Sequence, residues 1–193
     1  MSIRSIENIQ SFENSVRQIK LKGPAPVNSW NPDFCGNLNI KIKKDGTWLY
    51  NDSPISRIKL VKLFSNILKK EGNNYFLVTP VEKVGILVED APFLVNNLDI
   101  TGEGKDKILY FTTQVGDTFR LNKKNPLRFI FDKKSLEPSP YILVRDNLEA
   151  LIDRKNFYRL VDYGETAKHN DENWFGVWSE NTFFPITPST SLL

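Results

Sequence analysis

Two arginines stand in matching settings: Arg57 after Pro54-Ile55-Ser56, and Arg145 after Tyr141-Ile142-Leu143-Val144, each with a leucine three residues on, Leu60 and Leu148. A guanidinium is a planar fork of donors that grips a carboxylate or phosphate at two points. Arg128 adds another such fork. Trp48 and Trp178 lie in runs that read as strands, where an indole can stack on a flat ring. Glu82 and Lys83 follow Pro80 in a turn, where polar side chains can reach a ligand and no packing demand explains them. Arginines beside tryptophans suit an anionic, ring-bearing molecule. The competing reading is that each arginine pairs with an acid such as Glu89 or Glu180 and fastens the fold. Spacing alone leaves both open.

Other reactive residue types are sparse. His169 is the single histidine, in the polar run Ala167-Lys168-His169-Asn170-Asp171, and reads as a solvated loop residue rather than a general base. Cys35, the single cysteine, has no cationic neighbour to hold a thiolate and reads as a packing residue. One cysteine and one histidine exclude a disulfide framework, a cysteine-based zinc cage and a multi-histidine metal site. Thr101-Gly102-Glu103-Gly104-Lys105-Asp106 has the glycines and lysine of a phosphate cradle but neither the Walker spacing nor a following helix, so it reads as a hairpin turn. Glu89-Asp90 would serve as acid and base if buried together; in a turn before Ala91-Pro92 they would cap amides instead. No set of three or more spaced acids marks a hard-metal site, and no cofactor is expected.

At 193 residues and 22.3 kDa the chain fits one large domain or two small ones. With 40% hydrophobic and 25% charged residues it can bury a conventional core. Basic residues outnumber acidic ones by three, too small an excess to force a nucleic-acid or membrane reading. The lysine-rich stretch 57–70 and the pairs Lys123-Lys124 and Lys133-Lys134 therefore read as solvated surface. The start shows no secretory pattern, and no run of about 18 uncharged apolar residues would make a transmembrane helix. With a lone cysteine, the cytoplasm is the expected compartment.

The elements that would position these residues follow from periodicity. Ile3, Ile6, Ile9, Phe12, Val16 and Ile19 form a helical stripe ended by Gly23 and Pro24. Leu38, Ile40 and Ile42 alternate with polar residues as a half-buried strand, and Thr47–Tyr50 restarts a strand after the turn Lys44-Asp45-Gly46. A helix is expected from an N-cap at Ser56 to a stop at Gly72. Strands are expected at Tyr75–Thr79, Gly85–Val88, Phe93–Ile100, Lys107–Gln114, Thr118–Leu121, Leu127–Phe131 and Tyr141–Val144. A short helix capped by Asp146 or Asn147 should run through Asn156, then a strand Phe157–Tyr163, a polar loop 164–173, a strand Trp174–Trp178 and a mobile tail.

Laid side by side, the halves repeat the order strand, turn, arginine, helix, strand, strand, with an acid and then Phe at each close. That order predicts an internal duplication of one supersecondary unit, with Arg57 and Arg145 equivalent and a seam between the copies as the natural cleft. The fold class is α+β: an N-terminal helix over residues 1–23, a first repeat over 24–100, and a second repeat with the tail over 101–193.

The blocks WNPDFCG (30–36), DGTWLYNDSPISR (45–57), LVKLFSNILKKEG (60–72), YFLVTPVEKVGILVEDAPF (75–93), PYILVRDNLEALIDR (140–154) and FGVWS (175–179) resemble the bacterial domain of unknown function 1285 family, from about residue 24 to 186. The resemblance implies an α+β protein made by domain duplication, with a C-terminal half similar to pleckstrin-homology-like folds. It also implies a pocket at the domain interface suited to a nucleotide-like molecule and a role in signalling. It establishes no biochemical activity. The expected function is thus a non-catalytic ligand-binding or regulatory protein, its anionic ligand lined by Trp48, Arg57, Glu82, Lys83, Arg128, Arg145 and Trp178. The alternatives are a protein-interaction scaffold, and an enzyme working through Glu89 and Asp90.

Overall fold

The computed structural model describes residues 9–19, 25–135 and 137–192. The first residues of the expected N-terminal helix, Ile3 and Ile6 among them, lie outside these. Within them α1 spans Ile9–Gln18 and buries Phe12 and Val16, as the stripe predicts. The chain divides into two units, Met1–Pro92 and Phe93–Leu193. The boundary expected after residue 100 falls inside a strand.

The first unit is built from two three-stranded meanders joined by a helix. β1 (Phe34–Ile42), β2 (Trp48–Tyr50) and β3 (Ser53–Pro54) form one; α2 (Ile58–Asn66) crosses to β4 (Leu68–Glu71), β5 (Asn74–Val78) and β6 (Lys83–Val88). The sheet order is β3-β2-β1-β6-β5-β4, with β1 and β6 the parallel pair at its centre. Leu38, Ile40 and Ile42 turn inward, with Leu60, Phe64, Leu68 and Leu77 among the buried side chains of this unit. α2 is shorter than expected at both ends: Arg57, not Ser56, is the N-cap, and the helix ends at Asn66. Leu68–Glu71 pairs with β5, Leu68 opposite Leu77, because both leucines gain full burial in the sheet. Gly72 is therefore a hairpin residue and not a helix stop, its φ of 58° suiting the first position of a two-residue turn.

The second unit repeats the sheet. β7 (Phe93–Thr101), β8 (Ile108–Thr113) and β9 (Thr118–Arg120) form a meander, as do β10 (Leu127–Phe131), β11 (Pro138–Arg145) and β12 (Leu148–Ile152). Their order is β10-β11-β12-β7-β8-β9, and β7 runs parallel to β12. Each six-stranded sheet thus sets the first strand of one meander parallel to the last strand of the other. The pairing of elements drawn from the sequence is nevertheless wrong. Arg57 caps a helix whereas Arg145 ends β11, so the two are not equivalent. The helix expected through Asn156 is β12, where Leu148, Ala150 and Ile152 bury at a period of two. The strand expected at Phe157–Tyr163 is instead α3 (Arg154–Asp162), whose N-cap carboxylate on Asp153 accepts the Asn156 amide N–H at 2.7 Å.

A three-stranded sheet closes this unit: β13 (Glu165–His169), β14 (Glu172–Ser179) and β15 (Thr182–Pro188). The expected polar loop is thus a hairpin. Asn170-Asp171 and Glu180-Asn181 all have positive φ, the two-residue turn that matches strand twist. The tail expected to be mobile forms a 3-10 turn over Ser189–Leu192. The class is α+β, with three α-helices among the described residues. No helix among them is long and apolar enough to cross a membrane.

Candidate functional site

The central pair of the first sheet does not run in even register. Phe34 pairs with Lys83, Asn37 with Gly85, Lys41 with Leu87 and Ile42 with Val88. β1 therefore takes three steps against two, then four against two, and its surplus residues bulge away from β6. Gly36, at φ 96°, permits the first bulge. Where the ladder opens, a cleft of about 690 Å³ forms.

Its lining comes from the sheet face that carries Lys83, Gly85 and Leu87. The rings of Phe34 and Phe76 meet edge to face, centroids 6.1 Å apart at 86°. The Lys83 ammonium sits 5.2 Å above the Phe76 ring. Gly85 lies opposite Phe76 across the β5–β6 ladder, and the Asn37 side chain rests where a Cβ on Gly85 would be. Asn39 and Asn74 add amides, and exposed Leu87 adds apolar surface. The cleft is amphipathic: aromatic faces, three amides and one cation.

That cation belongs to a triad. Lys83 Nζ lies 3.2 Å from Glu71 Oε2, and Lys69 Nζ lies 3.0 Å from Glu71 Oε1. Lys69 also donates to the Trp30 carbonyl at 3.4 Å. The hydrogen bond from Lys69, aided by Lys83 and both positive charges, holds the Glu71 carboxyl below its usual range despite partial burial.

Of the seven residues expected to bind ligand, Lys83 alone lines this cleft. Trp48 is a core residue, and its indole N–H finds no partner among the described residues. Arg57 grips Glu13 of α1, which Arg17 holds from the other side. Glu82 closes a turn through its backbone, donating to Thr79 Oγ1 at 3.0 Å and accepting the Thr79 N–H at 2.8 Å. In the second unit Arg128 makes two 2.7 Å bonds to Glu149 and covers the Tyr141 ring. Arg145 donates to Asp117 at 2.9 Å and lies over Phe93. Trp178 packs on Phe183 beneath the Lys105 ammonium. All three arginines are thus engaged with acids, but with Glu13, Glu149 and Asp117. Glu180 takes Arg120 instead.

Two family models match successive stretches of the chain: the N-terminal domain of a domain of unknown function (DUF1285) over residues 25–91, and the C-terminal domain of the same family over residues 92–186. The chain belongs to the DUF1285 family. The crystal structure of a DUF1285 family protein from Silicibacter pomeroyi DSS-3 is similar at 51% identity and a TM-score of 0.83, covering 92% of this chain and 95% of that one. A DUF1285 family protein from Shewanella baltica OS155 is similar at 27% identity and a TM-score of 0.52, covering 65% and 91%. No curated protein matches. The seam between the two DUF1285 models adjoins the division of the chain at Pro92.

In this DUF1285 protein the acids proposed for catalysis fasten a turn. Glu89 accepts the Lys44 amide N–H at 3.1 Å, and Asp90 lies 3.5 Å from the Lys44 ammonium. Neither lines the cleft. His169 is not in a loop: it ends β13, its ring 6.1 Å from both Trp174 and Phe183. The Cys35 thiol, half-buried, donates to the Asp33 carbonyl. Among the described residues no group of three or more His, Cys, Asp or Glu could hold a metal ion. Sequence reasoning missed Phe34, Asn37, Phe76 and Gly85. The available signal was Gly85 itself, since a glycine inside an apolar strand marks a bulge or a close approach.

Proposed function

We propose that this DUF1285 protein is a non-catalytic ligand-binding protein whose first unit takes a small anionic, ring-bearing molecule, nucleotide-like in pairing a flat ring with charge. The observation that carries the reading is the Phe34–Phe76 ring pair beside the Lys83 ammonium in the β1–β6 cleft. A volume of about 690 Å³ is in the range of small-molecule sites. A cytoplasmic regulatory or signalling role belongs to the same proposal. So does a pleckstrin-homology-like character of the second unit, supported by the packing of α3 against β7 and β14. A thermal-shift screen with nucleotides and cyclic acids tests the binding reading. The expected result is a saturable rise in Tm, worth about 2.7 kcal/mol at a hundredfold excess over Kd, that shrinks in Lys83→Met. A flat response across the panel overturns it.

A second reading, a protein-interaction scaffold, is favoured by Ile130 and Phe131, 48% and 42% exposed in succession on β10, an edge strand of its sheet, so that apolar surface shows on both of its faces. The variant Ile130→Ser/Phe131→Ser should lose proteins that copurify with the intact chain. An identical set of copurifying proteins overturns it.

A further inference from the structure

The charge on the cleft wall narrows the class of ligand. Lys83 is the one charged residue lining the cleft among the described residues, and its ammonium is shared with Glu71. Glu71 in turn is shared with Lys69. The three side chains are 18%, 36% and 15% exposed, so water screens them only in part. Two ammonium groups and one carboxylate leave a single unmatched positive charge. Lys41, in register with Leu87, and Lys70, its ammonium 5.2 Å from the Tyr75 ring, stand outside this triad, so the charge in contact with Lys83 stays at one.

Resting on the binding reading above, we infer that the cleft selects a planar molecule with one negative charge, an aromatic or cyclic monocarboxylate, over a phosphate monoester. A carboxylate reaching Lys83 brings the wall to neutrality. A dianionic phosphate, which carries close to two charges above pH 7, leaves an uncompensated negative charge beside the Glu71 carboxylate. Repulsion between like charges is felt more strongly in a half-buried site than in water. The uncharged remainder of the wall agrees with this. Phe34 and Phe76 offer ring surface, while the amides of Asn37, Asn39 and Asn74 offer neutral donors and acceptors rather than further cations. A triphosphate or diphosphate would need an arginine or a further lysine on the wall, and Arg57, Arg128 and Arg145 are held elsewhere.

Isothermal titration of the full chain at about pH 8 with probes that share one ring tests the inference: phenylacetate, phenyl phosphate, phenylacetamide and adenosine monophosphate. Phenylacetate is expected to bind about tenfold tighter than phenyl phosphate and than the neutral amide. Lys83→Met should erase its advantage over phenylacetamide. Glu71→Gln is the diagnostic variant: it raises the wall charge to two, so phenyl phosphate should gain about tenfold and overtake phenylacetate. If phenyl phosphate or adenosine monophosphate binds the unaltered chain tighter than phenylacetate, the single-charge inference falls while the binding reading stands. If phenylacetate leads but Glu71→Gln leaves the order unchanged, the role given to Glu71 falls and with it the inference. If no probe saturates, both fall.

Discussion

The Arg57 guanidinium grips the Glu13 carboxylate at 2.9 and 3.3 Å, and Glu13 is only 2% exposed. Arg17 reaches the same carboxylate at 2.7 and 2.9 Å from one turn along α1. Two half-exposed arginines thus neutralise one buried acid and tie α1 to the start of α2. Removing either arginine leaves the acid one partner; removing the acid leaves two like charges without their shared anion and empties a buried position. Arg57→Ala should cost about 1 kcal/mol and Glu13→Ala about 2–3 kcal/mol, read from urea midpoints at constant m. Equal costs would show that the acid is not the hub of this cluster.

The same cluster sets a pH dependence. Burial alone would raise the Glu13 carboxyl, but hydrogen bonds and charge from Arg17 and Arg57 outweigh it and bring it below its ordinary value of 4.5. A carboxyl lowered in the folded state contributes stability that is fully present above its unfolded pKa and is lost as pH falls through the folded one. Glu71, also lowered, adds to the same trend. Urea stability should therefore be level above pH about 5.5 and decline below about 4.5. Glu13→Gln should flatten the upper part of that decline. A variant curve parallel to that of the unaltered chain would remove Glu13 as a source of the acid sensitivity.

Two glycines with crowded Cβ positions should respond in opposite ways. At Gly85 the obstacle is the end of the Asn37 side chain, which can rotate aside into the cleft. At Gly176 the obstacles include the Phe184 carbonyl oxygen and the Pro185 Cα, which are backbone and cannot. Gly85→Ala should cost under about 1 kcal/mol, whereas Gly176→Ala should cost about 3 kcal/mol or prevent folding. Differential scanning calorimetry separates the two, and comparable losses would contradict the assignment of Asn37 as the yielding group.

The sequence reading succeeded where one local signal had no rival. Leu38, Ile40 and Ile42 alternate cleanly and form β1. It failed where two periods fit the same residues: Leu148, Leu151 and Ile152 satisfy a helical stripe, while Leu148, Ala150 and Ile152 satisfy a strand, and pairing with β7 and β11 decides for the strand. The hairpin turns Asn170-Asp171 and Glu180-Asn181 lack glycine, so only the tolerance of Asn and Asp for left-handed backbone marked them, a weaker signal than a glycine. The site was illegible for a different reason. Phe34, Asn37, Phe76 and Lys83 come from three strands, and only the register slip of β1 against β6 opens space between them. Arginines look like ligand groups in a sequence because their partners, Glu13 and Asp117, lie 44 and 28 residues away.

Ser179 carries a bond that fastens β14 to the neighbouring meander. Its hydroxyl, fully buried, donates to the Leu121 carbonyl at 2.8 Å and accepts the Leu109 amide N–H at 3.2 Å. Ser179→Ala removes both partners at once and leaves a buried donor and a buried acceptor in apolar surroundings. The expected loss is about 2–4 kcal/mol, larger than for an exposed serine by the full desolvation of two backbone groups. Hydrogen exchange at the Leu109 amide should quicken in the variant more than at β1 of the other unit.

Arg57 and Arg145 are poor anion receptors in the folded chain. Each is already committed to a carboxylate, so an incoming anion would have to draw Arg145 off Asp117, or Arg57 off Glu13, a 2% exposed acid that would keep only Arg17. Lys83 loses less in the exchange, because Glu71 is 36% exposed and keeps both Lys69 and access to water when Lys83 turns to a ligand. In a titration with phenylacetate, Arg57→Ala and Arg145→Ala should shift affinity by less than about twofold, while Lys83→Met lowers it by about tenfold. A loss confined to the arginine variants would move the anion site out of the β1–β6 cleft and onto the residues that the spacing of the sequence first singled out.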